Sequence, residues 1–156
     1  MNQYDIKISD YLKENKINAD HLLVKKNCHS VSDAAAAVNE KVDEFVKNVC
    51  MVDDTDRLIV AIVKGEDRAS TSRVYKVLNL DHRPKLASEE EVFRRTGFPV
   101  GGVPSFGFNA LFLVDLKVLE KDYIYTGGGS TQSLIKIETG ELLKVNSGKV
   151  FRIRKK

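Results

Sequence analysis

Only two cysteines, Cys28 and Cys50, occur in the 156 residues, with no CxxC spacing and three scattered histidines. That excludes a disulfide framework and leaves no zinc ligand set, so neither a metal nor a cofactor is signalled. A reducing compartment fits, and a cytoplasmic location is expected. Long apolar runs are also missing. Stretches such as Leu58 to Val63 fall far short of the roughly 20 residues that span a bilayer and read as buried strands. The first residues carry Asp5 and Asp10 instead of the basic start and apolar stretch of a secretory signal, so no membrane role is expected. Nor is there a large excess of one charge: the formal net charge of +3 permits RNA as a partner but does not by itself predict it.

What is present is the composition of an ordinary globular chain, 42% apolar and 30% charged, of a length that buries a core as a single domain over residues 1–156. Tyr4, Ile8, Tyr11 and Leu12 recur at helical spacing, predicting a helix that ends near Asn15. A short strand is read at Leu22 to Lys25. Ser30 with Asp33, ahead of a run of alanines, predicts a capped helix. Phe45 to Val52 and Leu58 to Val63 flank Asp53-Asp54-Thr55-Asp56, whose aspartates suit a turn, and read as a hairpin with both arms buried. Helices follow over Ser70 to Leu78 and Ser88 to Arg95, the second closed by Gly97, with a strand at Pro84 to Ala87 between them. Four more strands are read at Ala110 to Asp115, Tyr123 to Thr126, Ser133 to Glu138 and Val150 to Ile153, with a short helix at Glu141 to Val145. Strands and helices are interspersed without a βαβ rhythm, which favours an α+β fold with a mixed sheet over a doubly wound one.

Three features could carry chemistry. Lys47 interrupts an otherwise apolar strand, and a lysine there must reach a pocket, a carboxylate or the water at the strand's exposed start. Residues 97–107 hold Gly97, Pro99, Gly101, Gly102, Pro104 and Gly107, a loop costly to order unless used, whose glycines let backbone N–H groups approach a phosphate or an oxyanion. The run Thr126-Gly127-Gly128-Gly129-Ser130-Thr131 exceeds what a tight hairpin turn needs. Cys28 beside His29 is poor evidence for a nucleophile and base, Cys50 reads as core, and His21 and His82 read as surface residues. Phe98, Val100, Val103 and Phe106 offer a protein-binding surface if the loop exposes them. Basic residues gather in the middle, including Lys64, Arg68, Arg73 and Lys85, and at the end, where Arg152, Arg154, Lys155 and Lys156 read as a frayed tail.

Taken in order, these features resemble the YbaK/ProX family of aminoacyl-tRNA deacylases, which includes the editing domain inserted in some prolyl-tRNA synthetases. The residues that carry the resemblance are Ser30 to Ala35, Val46-Lys47, Gly65-Glu66-Asp67-Arg68, Thr96-Gly97-Phe98 with Gly101-Gly102, Asp115 and the late glycine run. The resemblance implies a barrel-like mixed sheet surrounded by helices and a pocket in which Lys47, Gly101 and Gly102 are catalytic. It further implies that Asn48, Gly97, Phe98, Gly128, Gly129, Ser130 and His29 contact the substrate. Lys64, Arg68 and Arg73 would hold tRNA phosphates. The implied substrate is a mischarged aminoacyl-tRNA carrying a small amino acid, of the tRNA-Pro type, with prolyl-tRNA synthetase as a further partner. Family members often have Thr or Ser where this chain has Asn48, and proline where it has Ser105. A binding module of the same fold, which recognises the aminoacyl end or a synthetase without cleaving, is the alternative.

Overall fold

Local capping chemistry sets most of the element starts. The computed structural model describes residues 1–156. Asn2 accepts from Tyr4 N and Asp5 N at 2.9 and 3.0 Å, Asp5 returns a bond to Asn2 N, and α1 (Gln3–Glu14) follows. Strand β1 (Ala19–Leu23) starts earlier and stops sooner than the sequence suggested. Ser30 accepts from Asp33 N at 3.1 Å and opens α2 (Val31–Ala37); Asp33 caps His29 N rather than Ser30 N, so the box is closed one residue upstream. A 3-10 turn at Val42–Glu44 leads into β2 (Val46–Val52) and β3 (Leu58–Lys64). Their turn is built by Asp53, which accepts from Thr55 N, Thr55 Oγ1 and Arg57 N at 3.0, 2.8 and 2.8 Å.

Ser70 and Ser88 then cap α3 (Thr71–Val77) and α4 (Glu89–Thr96), with the two-residue β4 (Lys85–Leu86) between them. Gly97 ends α4 in the left-handed region at φ +81°, where a side chain is disfavoured. After the loop come β5 (Leu111–Asp115), a 3-10 turn at Leu116–Glu120, β6 (Tyr123–Gly127), β7 (Ser133–Glu138), α5 (Thr139–Asn146) and β8 (Lys149–Phe151).

The strands form two sheets, an arrangement of α+β class. One has the order β4-β2-β3-β5-β8, antiparallel on the β2 side and parallel from β3 to β8; the other is the antiparallel β1-β7-β6. Every residue of β3 is buried, as expected of the central strand of a sheet covered on both faces. Val60, Ile62, Phe112 and Val114 face the main core with Ile124, Ile135 and Ile137 of the second sheet, while Ile59, Ala61, Val63 and Leu113 pack under α3 with Val74 and Ile153. The sheets meet at one corner, where Phe45 bridges Tyr125 and their rings stack at 4.8 Å. The expected barrel-like sheet is instead two separate sheets joined by this single bridge.

The C-terminal segment is not frayed. Ile153 is fully buried, and Asp115, itself fully buried, accepts from Ile153 N at 2.8 Å, Arg154 N at 3.1 Å and Arg154 Nη1 at 2.9 Å. A buried carboxylate with a charged partner and backbone donors is the reason the tail stays down.

Candidate active site

A cavity of about 800 Å³ opens at the corner between the sheets, within the range of roughly 300–1,000 Å³ that holds a small ligand. Its wall is made by the start of α2, the start of β2, the segment after β3, the first part of the glycine-rich loop and the end of β6. Lys47, Asn48, His29 and Gly101 all line it, and so do Cys28, Glu66, Tyr125 and Thr126. Sequence separations of 20 to 100 residues are thus brought into one place.

Lys47 is half-buried, and its Nζ donates to Asp67 O at 2.9 Å. An ammonium has three protons and a backbone carbonyl takes one, so donor capacity remains beside the cavity. The basic side chains expected to hold phosphate are placed differently. Lys64 is buried, with its Nζ 3.2 Å from Glu66 Oε1, because the central strand carries it into the core and Glu66 neutralises it there. It is not a surface cation. Arg68 is exposed and Arg73 half-buried, and both lie off the cavity wall.

The two glycine-rich segments pack backbone on backbone. Gly129 N donates to Gly102 O at 2.8 Å, and a Cβ on Gly102 would lie 2.5 Å from the Gly129 carbonyl and Ser130 N. No side chain fits at that contact, which gives these glycines a packing reason as well as a chemical one. Gly102 N is committed to Pro99 O, whereas Gly101 N has no partner inside the protein and Gly101 is exposed on the cavity wall. Of the two amides, Gly101 N is the one left for a ligand.

Gly102, expected to be catalytic, and Gly97, Phe98, Gly128, Gly129 and Ser130, expected to contact the substrate, do not line the cavity. Phe98 and Phe106 are buried at 0% and 1%, so the loop does not expose four apolar side chains: Val103 is half-buried, and Val100 alone is exposed. Gly128 O is held by His21 at 2.8 Å, which makes His21 a half-buried brace instead of a surface residue. Ser130 and Ser133 both donate to the buried Asp5 Oδ1, at 2.8 and 2.5 Å, tying the glycine run to the start of α1.

Asn48 faces the main core from β2 and points no free donor into the cavity. Its amide donates to Val103 O and to Thr126 Oγ1, both at 2.9 Å, while Ser105 Oγ donates to Asn48 Oδ1 at 2.6 Å and lies 2.8 Å from Thr126 Oγ1. Thr126 lines the cavity although nothing in the sequence singles it out beyond its position beside the glycine run.

No side chain on the wall is set up as a nucleophile. Burial, reinforced by Asp33, pushes the Cys28 thiol up, and burial pushes Cys50 to about 11, so both stay protonated near neutral pH. Tyr125 is pushed to about 12 by burial and by Glu40, which its hydroxyl contacts at 3.2 Å. What the wall offers is a fixed cation and an unpaired backbone N–H around a largely apolar hollow. Such a site can bind an ester and stabilise negative charge on it.

An α+β domain with this pocket, walled in part by the first glycine-rich loop, defines a small ligand-binding or hydrolytic domain. The chain belongs to the aminoacyl-tRNA editing domain family, whose model matches residues 25–145. A proline–tRNA ligase of Solidesulfovibrio magneticus is 25% identical over 72% of this chain, and the chain spans 20% of that ligase's length. YwhH of Bacillus subtilis, an uncharacterised protein, is 21% identical over 78% of each chain. A solved structure described as a candidate trans-editing enzyme for prolyl tRNA synthetase superposes over 100% of this chain and 99% of its own, with 21% identity and a TM-score of 0.91. No helix is long and apolar enough to cross a membrane.

Proposed function

We propose that the protein is a trans-editing hydrolase that removes small amino acids wrongly attached to tRNA, with tRNA-Pro-type species as substrates. The observation that supports this reading best is the pairing of Lys47, with unspent donor capacity, and the free Gly101 N–H on the wall of one cavity. An aminoacyl ester is already activated, so positioning a water against it and stabilising the developing oxyanion can suffice without a protein nucleophile. In this reading Lys47 counters charge at the ester or the terminal adenosine, Gly101 N donates to the oxyanion, and His29 contacts the substrate at the rim. Arg68 and Arg73 hold phosphates outside the cavity. A synthetase rejects one wrong methylene by only about 1–3 kcal/mol, which gives a second hydrolytic sieve its use.

Lys47→Ala tests the reading. Hydrolysis of a minimal aminoacyl-adenosine ester should fall roughly a hundredfold, the usual cost of one electrostatic donor, while tRNA affinity changes less than about twofold. Equal hydrolysis by the variant would reject the role of Lys47. Tight binding with no hydrolysis by either protein would favour the binding module.

A further inference from the structure

Asn48, Ser105 and Thr126 come from three separate parts of the chain and meet in a closed ring of hydrogen bonds beneath the glycine-rich loop. The direction of the ring follows from donor and acceptor chemistry. Val103 O can only accept, so the Asn48 group 2.9 Å from it is the amide nitrogen; turning the amide over would set two oxygens against each other. The second N–H of that nitrogen then goes to Thr126 Oγ1 at 2.9 Å, and Thr126 must spend its one proton on Ser105 Oγ at 2.8 Å. Ser105 in turn donates to Asn48 Oδ1 at 2.6 Å. Each hydroxyl accepts once and donates once. Ser105 is fully buried and Thr126 is 1% exposed, so the bond between the two hydroxyls is shielded from water, while Asn48 is half-buried at the cavity wall.

The ring ties the strand that carries Lys47 to the loop that carries Gly101. Asn48 follows Lys47 directly, and Val103 and Ser105 follow Gly101 within four residues. Asn146 Nδ2, donating to Ser105 O at 3.1 Å, holds the same loop from the other side. A Cβ on Gly127 would collide with Val103 O, which shows how closely β6 and the loop are seated at this point. The ring and the Asn48–Val103 bond together join the loop to the strand that carries Lys47.

We propose that Asn48, Ser105 and Thr126 act as one positioning unit that sets the Gly101 N–H against the Lys47 ammonium; this rests on the reading of the cavity as a deacylase site. None of the three performs chemistry. Asn48, which the family resemblance placed against the substrate, is on this account a positioning residue. Misplacement of a reacting group by about 1 Å costs about a hundredfold, so a broken ring should appear in kcat.

The deciding comparison is Thr126→Val, which keeps the shape and removes the hydroxyl, against Thr126→Ser, which keeps the hydroxyl. Both are assayed with an aminoacyl-adenosine ester well below their unfolding temperatures. Thr126→Val should lower kcat roughly 10–100-fold with KM within about threefold, and Thr126→Ser should stay within about threefold of wild type in kcat. Ser105→Ala and Asn48→Ala should each resemble Thr126→Val, and the double variant should be no worse than the worse single, because the ring is lost once. Amide hydrogen exchange at Gly102, whose N–H is held by Pro99 O within the loop, needs no substrate and should be faster in Thr126→Val and unchanged in Thr126→Ser. Equal kcat and equal exchange in the two Thr126 variants would overturn the proposal. If wild type hydrolyses nothing, the deacylase reading fails by itself and the exchange data still decide whether the ring holds the loop.

Discussion

Cys28 is the one thiol on the cavity wall, and the account requires it to be a bystander. Its pKa is raised first by burial and then by Asp33, so the thiolate, the form that attacks esters, is scarce at neutral pH. Cys28→Ser should therefore keep at least half of the hydrolytic kcat/KM, measured between pH 6.5 and 8, whereas a nucleophilic cysteine would lose nearly all of it. Residues differ in how far the sequence revealed them. Lys47 was visible because a charge in an apolar strand breaks a pattern. Lys64 misled for a related reason, since a lysine at a strand end suggests surface, and it took Glu66 at 3.2 Å to keep it buried. Asn48 and Ser105 stood out only as departures from the family pattern, and Thr126 only by its place beside the glycine run; nothing linked the three. They lie 57, 78 and 21 residues apart in pairs, and a lone polar residue does not announce a partner at that distance.

At the scale of elements, periodicity and capping chemistry placed every helix and strand to within a few residues, because those signals are local. The misreadings fell where an element depends on distant contacts. β4 is shorter than expected since only Met51 and Val52 pair with it, and the C-terminal segment is held by Asp115, 38 residues upstream of Ile153. The β2–β3 turn is a local device with a pH signature. Burial alone would raise the Asp53 carboxyl, but hydrogen bonds from Arg57 and Thr55 outweigh it and hold the pKa below the usual carboxylate range. A depressed folded-state pKa contributes stability that is complete above the unfolded value and is lost as pH falls through the folded one. Asp53→Asn should thus destabilise the protein by about 1.5–3 kcal/mol at neutral pH, the scale of a charged hydrogen bond. The gap to wild type in thermal unfolding should hold down to about pH 5 and shrink below 3.8, the unperturbed carboxyl value. A gap that is unchanged at pH 3 would mean that Asp53 acts through packing alone.

For the whole molecule, the two sheets are joined at a bridge between Phe45 and Tyr125, and both residues line the cavity. The α+β class was legible from the irregular order of elements, but the division into two sheets was not, since strand partners separated by a hundred residues leave no mark in the sequence. Both glycine-rich segments were legible as unusual; which glycine stays available was decided by backbone packing, with Gly129 against Gly102 and Gly101 left unpaired. The family is that of aminoacyl-tRNA editing domains, and the central claim of the proposed function is that the pocket hydrolyses an ester of tRNA. The most direct measurement is the release of amino acid from a panel of tRNAs, each charged with a small amino acid, correctly or wrongly, in the presence of wild-type protein. The account predicts that at least one wrongly charged species, of the tRNA-Pro type, loses its amino acid far faster than it does spontaneously, while the correctly charged tRNA is spared. Spontaneous rates across the whole panel with folded protein would contradict it.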